Sequence, residues 1–438
     1  MRKLGRRLIA AVMCTALLLT GVTGCSSEES ASGTSSEASW FTPALDTSTE
    51  QTILILGNYE NFEALDAAGE SFKEFYPNID IEYEMLDDYN NNISSRLESD
   101  TEAALFMVSR YNFLNDSTLS ERFVDISTLD IEWDDIDPES YKGRYIDDKL
   151  FSIPIFYRYY GLVVNKDLLE SESIAVPNNL DELYAACETL LSDGYVPLQQ
   201  AADSYSLLLI NMEMNIIAKT MTAEQIESLR AGGSAEPLTP VFDIYIDMLN
   251  KGYISYECAE TYEDSYNDAI LKFFEGNVPF LLATSTTVSG MKKRESKSEA
   301  FQANPFEYEF IYAPIGADGP LVYKADDTGF GINVNCSYMD VAKEFYRFIY
   351  TEEILNQFSE IKGVPATAKN TTNELYNSLP DVTGDSLVTY SDIDDPDNAL
   401  QDSFGAVVDA IVNGTVTTSS DAAALFEEHS QSLNQTGE

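Results

Sequence analysis

The chain has 438 residues and a formal net charge of −48, from 74 acidic against 26 basic side chains. This negative field repels phosphate backbones and anionic membrane surfaces, which excludes nucleic acid as a partner and leaves membrane contact to a lipid anchor. The length is sufficient for two sizeable globular lobes.

The side chains that catalysis and metal binding usually need are scarce. His429 is the one histidine, so HExxH zinc sites are excluded, and Ser-His-Asp or Cys-His catalysis would have to recruit it. Cys187, Cys258 and Cys336 are odd in number and widely spaced, which predicts buried thiols rather than a disulfide framework or a zinc site. The aspartates between 392 and 397 lack the glycine turn of a calcium loop and predict a solvated loop. We therefore predict no metal and no cofactor.

The first 24 residues have the pattern of an export signal. A basic head precedes an apolar run over 8–23, which is too short to be a comfortable membrane span. The run ends in Val22-Thr23-Gly24-Cys25, which resembles the lipobox of bacterial lipoproteins. By that resemblance 1–24 is a lipoprotein signal peptide, and Cys25 carries the acyl chains, palmitate among them, that hold the protein on the extracytoplasmic face of the cell membrane. An ordinary signal peptide with an incidental cysteine is the alternative.

Residues 25–50 are rich in Ser, Thr, Glu and Ala, and they predict a flexible spacer between the lipid and the folded body. Trp40 and Phe41 are the exceptions, because such aromatic side chains can dock on the body.

Beyond the spacer, alternating patterns predict an α/β fold. Apolar runs at 52–56 and 103–108 predict strands buried on both faces, whereas 79–85 alternates as a strand with one solvated face does. Between them, apolar residues recur at helical spacing over 62–76 and 89–97. This order predicts a mostly parallel sheet flanked by helices, and the same pattern returns later in the chain.

Three segments carry a resemblance to a known family. The first joins LFSIPI (150–155) to GLVVNKDLL (161–169), the second is FFEGNVPF (273–280), and the third joins YAPIG (312–316), GFGIN (329–333) and GVPA (363–366). Their order and spacing resemble the solute-binding proteins of ABC importers, family 1, the maltose-binding-like carbohydrate type. Two positions depart from the family pattern. Val164 replaces a usual tyrosine, and Thr284-Ser285-Thr286 replaces an aromatic that often stacks on a sugar ring.

The resemblance implies a periplasmic-binding-protein-like fold of two α/β lobes, with a cleft and a hinge between them. It assigns 51–158 and 318–370 to lobe 1, and 159–317 and 371–438 to lobe 2. It also implies a monomer that closes on a small-molecule ligand, a saccharide, and presents it to the permease subunits of an ABC transporter.

Ligands of open α/β sheets bind at the carboxyl ends of strands, so residues at those ends are the candidate contacts. Sugar recognition needs aromatic planes for ring faces and fixed polar groups for hydroxyls, and tyrosine supplies both. A glycine there permits close backbone approach. The predicted ligand-binding residues are Tyr59, Glu60, Ser109, Arg110, Tyr157, Arg158, Tyr159, Thr284, Ser285, Gly329 and Phe404.

Arg110 and Arg158 admit two interpretations. A guanidinium at a strand end can hold hydroxyls or a carboxylate bidentately, which would favour an acidic sugar. Each can equally form a salt bridge with one of the many acids nearby. Neutral and acidic ligands are therefore both open at this point.

We predict a membrane-anchored extracellular receptor that delivers an oligosaccharide to an ABC import permease, without enzymatic activity. One alternative is a secreted glycoside hydrolase with paired carboxylates, since 74 acids guarantee chance pairs. Another is a non-transporting sensor or adhesion lipoprotein. Iron capture by paired tyrosines such as Tyr159 and Tyr160 is a weaker form of the binding hypothesis.

Overall fold

Two sheets and a short hairpin hold the strands of the computed structural model. In chain order the strands are β1 Gln51–Gly57, β2 Ile79–Met85, β3 Ala103–Val108, β4 Tyr145–Ile146, β5 Lys149–Leu150, β6 Ile153–Pro154, β7 Tyr157–Asn165, β8 Leu198–Gln199, β9 Phe280–Thr284, β10 Tyr308–Tyr312, β11 Val322–Asp326, β12 Gly329–Ile332 and β13 Leu387–Thr389. The hairpin is β4 with β5.

Helices connect and cover these strands. The α-helices are Glu63–Phe72, Tyr89–Ser99, Lys166–Ser171, Leu180–Ser192, Ile210–Thr220, Ala223–Arg230, Thr239–Lys251, Tyr256–Ala259, Ser265–Phe273, Ser285–Glu295, Glu299–Ala303, Met339–Ile349, Glu352–Lys362, Ala399–Val412 and Ser419–Thr436. Short 3-10 helices are Leu119–Arg122, Ile126–Thr128, Trp133–Asp135, Pro138–Ser140, Ala202–Leu207, Glu236–Leu238 and Gly384–Ser386.

The structure describes most of the chain from residue 40 onward. The described residues are 40–109, 118–142, 144–200, 202–259, 265–371, 376, 379–380, 382–389, 392–393, 395 and 399–436. The predicted signal peptide, Cys25 and Arg110 lie outside the described residues.

The first sheet has five strands in the order β2-β1-β3-β12-β6. β1 pairs in parallel with β2 and β3, whereas β12 is antiparallel to both β3 and β6. Among the described strands of this sheet, β12 alone therefore runs against the others. All six residues of β3 are buried, as its unbroken apolar run predicts for a strand covered on both faces.

The second sheet has the order β13-β11-β7-β9-β8, and β10 also pairs with β7. β7 is antiparallel to β9, β10 and β11, while β8 is parallel to β9 and β13 to β11. Within the described part of this sheet, β7 is thus the single opposing strand. In each sheet all strands but one run in the same direction. Because the opposing strand has neighbours on both sides, five of the nine described pairings are antiparallel, so the sheets are mixed rather than mostly parallel.

Each sheet has its own hydrophobic core. One cluster of buried side chains draws on two stretches of chain, 41–156 and 330–368. Buried side chains around the second sheet come from 160–325 and 376–426. The predicted boundary at residue 318 would give β11 to the first lobe, but β11 pairs with β7 and adds Tyr323 and Ala325 to the second core. The chain therefore returns to the first sheet only at β12.

The last part of the predicted spacer packs on the first lobe. Phe41 is buried, with edge-to-face ring contacts to Phe75 at 5.1 Å and to Phe348 at 5.0 Å between centroids. The backbone N–H of Ala44 donates to Glu344 Oε1 at 2.9 Å. The expectation that Phe41 docks on the body is confirmed, and this end of the predicted spacer is part of the fold.

Two further expectations concern cysteines and the aspartate-rich loop. Cys187, Cys258 and Cys336 are thiols in the described structure, and the first and last are buried. Asp395, predicted in a solvated loop, is instead buried, and its Oδ2 accepts the N–H of Leu400 at 3.0 Å. This carboxylate satisfies an N–H group at the start of helix Ala399–Val412, which explains why it is retained inside.

Candidate functional site

A cavity of about 250 Å³ is lined by residues of both lobes. Tyr59 follows β1 and Thr286 follows β9, while Asp327 lies in the short link between β11 and β12. The lining residues are Tyr59, Phe156, Thr286, Ser289, Gly290, Lys293, Arg294, Asp327, Lys362 and Val364. Because ligands of α/β sheets bind beyond the carboxyl ends of the strands, this cavity is the candidate solute site.

Tyr59 is held in place by the first sheet. Its backbone N–H donates to Tyr83 Oη at 2.8 Å, and the Tyr83 hydroxyl lies 3.0 Å from the carbonyl oxygen of Tyr59, to which it donates. Its ring meets Phe62 edge-to-face at 5.1 Å. Burial, and then the negative charge of Asp327, raises the pKa of the Tyr59 phenol above its usual value. The phenol is therefore a neutral hydrogen-bonding group throughout the physiological pH range.

Lys362 lies over this aromatic surface. It is the last residue of helix Glu352–Lys362, and Gly363 ends the helix in the left-handed conformation with φ of 63°. The ammonium is 4.4 Å from the centroid of the Tyr59 ring and 5.2 Å from that of Phe62. Burial lowers the pKa of Lys362, and the nearby charge of Lys293 lowers it further. The site thus holds a cation on aromatic faces, an arrangement worth about 0.5–2 kcal/mol.

Arg158 is paired with Asp327 in the same region. The closest approach is 3.2 Å, and the side chains of Arg158 and Asp327 are 40% and 12% exposed. The Asp327 carboxylate is the main reason that the pKa of Arg158 is raised above its usual value. Of the two interpretations of Arg158, the structure contains the salt bridge.

The turn that precedes helix Ser285–Glu295 shapes the part of the cavity wall that the second lobe contributes. The N–H of Thr284 donates to Thr287 Oγ1 at 3.2 Å, and the Thr284 and Thr286 hydroxyls are 2.6 Å apart. Thr286 lines the cavity, but Ser285 is fully buried and its Oγ accepts the N–H of Tyr159 at 3.1 Å. Ser285, which the sequence predicts as a ligand contact, instead links helix Ser285–Glu295 to β7 through its hydroxyl group.

Alternation along β7 separates the predicted tyrosines from this cavity. Successive side chains of a strand point to opposite faces. Tyr157 and Tyr159 therefore point to one face of β7, and Arg158 points to the other. Both line a second cavity of about 290 Å³, together with Asp137 and Lys324. There the Tyr157 hydroxyl donates to Asp137 Oδ2 at 2.8 Å, and Lys324 approaches the same oxygen at 2.6 Å. Tyr157 and Tyr159 therefore do not share a cavity with Tyr59.

Glu60, Ser109 and Gly329, also predicted as ligand contacts, do not line the cavity. Glu60 is exposed and does not line the cavity, and Ser109 is half-buried at the end of β3. Gly329 is buried within β12, where an added Cβ would lie 1.8 Å from the carbonyl oxygen of Ile153. The close approach at Gly329 is therefore to strand β6 and not to a ligand.

Phe404, which the sequence predicts as a ligand contact, is instead a core residue. Its side chain is fully buried in the second core, with the ring 6.1 Å from Phe242 and 6.0 Å from Tyr245 between centroids. Phe404 lies on the buried apolar face of helix Ala399–Val412, and this face packs in the core.

Sequence reasoning missed Phe156, Lys293, Asp327 and Lys362. Three of them adjoin the segments that carry the family resemblance. Phe156 follows LFSIPI, Asp327 precedes GFGIN by two residues, and Lys362 precedes GVPA. These three residues flank the motifs, whereas Val364 lines the cavity from inside GVPA. Lys293 has no comparable signal.

Tyr376 contacts both lobes beside the site. Its hydroxyl lies 2.9 Å from the carbonyl oxygen of Ser285, at the start of a helix of the second lobe. The same hydroxyl lies 2.9 Å from the carbonyl oxygen of Gly363, at the end of a helix of the first lobe. The ring packs edge-to-face on Phe310 at 6.3 Å.

Solved structures of low sequence identity share this architecture. The apo form of RafE from Streptococcus pneumoniae has a TM-score of 0.66 at 15% identity, over 88% of this chain and 98% of that chain. The binding protein MsmE from Bacillus subtilis, in an open conformation, has a TM-score of 0.66 at 17% identity, over 90% and 99%. The GacH receptor of Streptomyces glaucescens has a TM-score of 0.64 at 14% identity, over 89% and 98%. The predicted two-lobed periplasmic-binding-protein-like fold is confirmed.

A family model then specifies the class. The model of the bacterial extracellular solute-binding proteins matches residues 57–354, which is more than half of the chain. The protein belongs to this family, and the resemblance predicted from the sequence is confirmed. No curated protein sequence matches the chain.

No helix in the described ranges combines the length and the apolar character that a membrane crossing requires. Within the same part of the chain, no group of three or more His, Cys, Asp or Glu side chains is placed to hold a metal ion.

Proposed function

We propose that this protein is the receptor of an ABC importer, which binds a saccharide between its lobes and delivers it to the permease. The single observation that carries this proposal is the cavity at the carboxyl ends of β1 and β9, to which both lobes contribute. Such a cavity closes when the lobes rotate toward each other, so occupancy and closure are linked through a population shift.

The chemistry of the lining supports a saccharide. Tyr59 provides an aromatic ring for a sugar, and Thr286 and Ser289 provide hydroxyl groups that donate and accept. A related structure is RafE in complex with raffinose, with a TM-score of 0.66 at 16% identity. An oligosaccharide is the ligand that we favour, because the exposed side chain of Lys293 and the half-buried side chain of Arg294 add polar groups to the lining.

The lining also supports binding without turnover. Among the described residues that line the cavity, Asp327 is the one carboxylate, and it is paired with Arg158. Glycoside hydrolysis ordinarily uses two carboxyl groups about 5–9.5 Å apart on either side of the scissile bond. We therefore propose a receptor that releases its ligand chemically unchanged.

The family and the sequence support a location outside the cytoplasm. We propose that the chain is exported by 1–24, lipid-modified at Cys25 and held on the extracytoplasmic face of the cell membrane as a monomer. In the same proposal, lobe 1 comprises 51–158 and about 327–370, and lobe 2 comprises 159–326 and 371–438. The pairing of β11 with β7 supports moving the internal boundary from 318 to about 327.

Thermal unfolding with a panel of mono- and oligosaccharides tests this function, with peptides and polyamines as controls. A ligand at 100-fold its dissociation constant adds about 2.7 kcal/mol to the free energy of unfolding. Tyr59→Ala should abolish the response, whereas Tyr159→Ala should leave it intact, because Tyr159 lines the second cavity. The reverse pattern would move the ligand to that cavity, and a ligand recovered in cleaved form would contradict a receptor.

A further inference from the structure

The walls of the candidate solute site are cationic, against the composition of the chain. Lys293, Arg294 and Lys362 are three of its ten described lining residues, and Asp327 is the one acid. In the whole chain acids outnumber bases, 74 to 26. Acidic side chains are therefore abundant in the sequence, yet Asp327 is the one acid among the described residues that line this cavity. This excess of cations in the lining requires an explanation.

Most of the charges at the site already have partners. Asp327 is paired with Arg158 at 3.2 Å, and Lys293 with Glu63 at 3.3 Å. Arg294 donates to the carbonyl oxygen of Gly290 at 3.1 Å and to Asn267 Oδ1. These contacts compensate the two cations on the helix of the second lobe.

Lys362 differs from the other cations. The ammonium contacts the faces of Tyr59 and Phe62. Among the described residues no carboxylate lies within ion-pair distance of it, and Glu63 and Asp327 act on it only from farther away. The side chain is partly buried, and a partly desolvated ammonium is costly unless it is paired. The end of helix Glu352–Lys362 contributes only a partial negative charge, about half an elementary charge.

We propose that Lys362 pairs with a carboxylate of the bound saccharide, so that the receptor selects uronic-acid-containing oligosaccharides over neutral ones. This inference rests on the proposed function and specifies its ligand class. Tyr59 then supports the sugar ring, while the ammonium above its face receives the acidic group. Lys293, on the opposite lobe, also lines the cavity, and its charge is close enough to lower the pKa of Lys362.

The net charge of −48 does not prevent such a ligand from binding. At physiological ionic strength the Debye length is about 8 Å, so distant surface carboxylates are largely screened. A contact inside a partly buried cavity is screened much less, and the local cation therefore dominates.

The test compares acidic oligosaccharides with their own methyl esters, which keep the carbon skeleton and remove the charge. Titration calorimetry is performed with a panel of galacturonate, glucuronate and mannuronate oligomers, each with its ester, and with neutral raffinose. The proposal expects one acid to bind at least about tenfold more tightly than its ester, as the loss of one charge-assisted hydrogen bond implies. Lys362→Met should remove this difference, so that the acid and its ester bind with equal affinity.

Lys292→Met is the matched control. Lys292 also lies near an aromatic ring, 4.8 Å from the centroid of Tyr308, but it pairs with Glu295 at 2.7 Å and does not line the cavity. It changes the net charge by the same amount, so an effect of overall charge would appear in both variants. Thermal unfolding of each variant checks that it folds.

The outcomes separate the two proposals. Preference for raffinose or for an ester over every acid overturns the inference and leaves the receptor function in place. So does an equal loss of acid and ester affinity in Lys362→Met. Failure of every saccharide to bind the folded protein contradicts the proposed function itself.

Discussion

The carboxylate of Glu63 lies 3.3 Å from the ammonium of Lys293. Glu63 begins the helix that follows β1, and Lys293 is in the helix that follows β9. The ion pair therefore joins the two lobes beside the candidate solute site. Both side chains are substantially exposed, at 56% and 44%, so water and salt weaken the contact.

Glu63→Gln should shift the protein toward a more open arrangement. An exposed ion pair contributes about 0.2–1 kcal/mol, so the population ratio should change by no more than about fivefold. Distances between spin labels on the two lobes, measured at low and high salt, report the shift. Asp66→Asn is the control, because Asp66 is exposed on the same helix and loses the same charge. An identical shift in both variants would refute a role for the ion pair.

Gly329→Ala should destabilise the first lobe. The added Cβ would lie 1.8 Å from the carbonyl oxygen of Ile153, a backbone atom that cannot move without breaking the β6–β12 pairing. We expect a loss of about 3 kcal/mol in the free energy of unfolding, measured with urea. Gly405→Ala provides the contrast, since nothing lies within 4 Å of its added Cβ within a helix. That change should stabilise the protein by about 0.5–1 kcal/mol.

Phe404→Ala should reduce stability without altering ligand preference. Its fully buried ring contacts Phe242 and Tyr245, and removing such a side chain costs about 3–5 kcal/mol. Urea unfolding measures the loss, and calorimetry below the unfolding transition measures binding. Unchanged stability with lost binding would return Phe404 to the ligand site.

Glu213→Gln should remove a pH dependence of stability. Glu213 is fully buried, and neither carboxylate oxygen has a hydrogen-bond partner in the described structure. Burial, and then the charge of Asp395, raises the pKa of Glu213 well above its usual value. The folded protein therefore keeps a proton that the unfolded chain releases near pH 4.3, about the ordinary value for glutamate. Stability contributed by this proton is complete below that pH and is lost as the pH rises toward the folded pKa.

The measurement is the difference in unfolding free energy between Glu213→Gln and the parent protein from pH 4 to pH 8. The variant should gain relative to the parent by up to about 1.4 kcal/mol per pH unit above pH 4.3. Burial raises the pKa of Asp395 to about 6. Asp395 is present in both proteins and therefore contributes to both curves. A difference that does not change with pH would mean that Glu213 is ionised in the fold.

Much of the fold could be predicted from local patterns. The run at 103–108 is strand β3, and Asn179 starts helix Leu180–Ser192 by accepting the N–H of Glu182 at 3.0 Å. Gly276 follows helix Ser265–Phe273 with a φ of 85°, a conformation that glycine favours at the end of a helix. These features depend on residues close in sequence, which is why periodicity and capping rules reach them.

The candidate site was harder to predict because it depends on contacts between distant segments. The alternation of β7 shows that Arg158 and Tyr159 point to opposite faces, but not which face borders the cavity. Tyr59 and Lys362 meet only after the helix that ends at Gly363 packs beside the end of β1. No spacing rule connects two such positions.

Tyr376 has one phenolic proton and two carbonyl acceptors, one in each half of the molecule. When the halves separate, the proton stays with one of these carbonyl oxygens and the other becomes accessible to water. The vibrational frequency of this single ring, isolated by isotopic labelling, would therefore report how far the two lobes are separated.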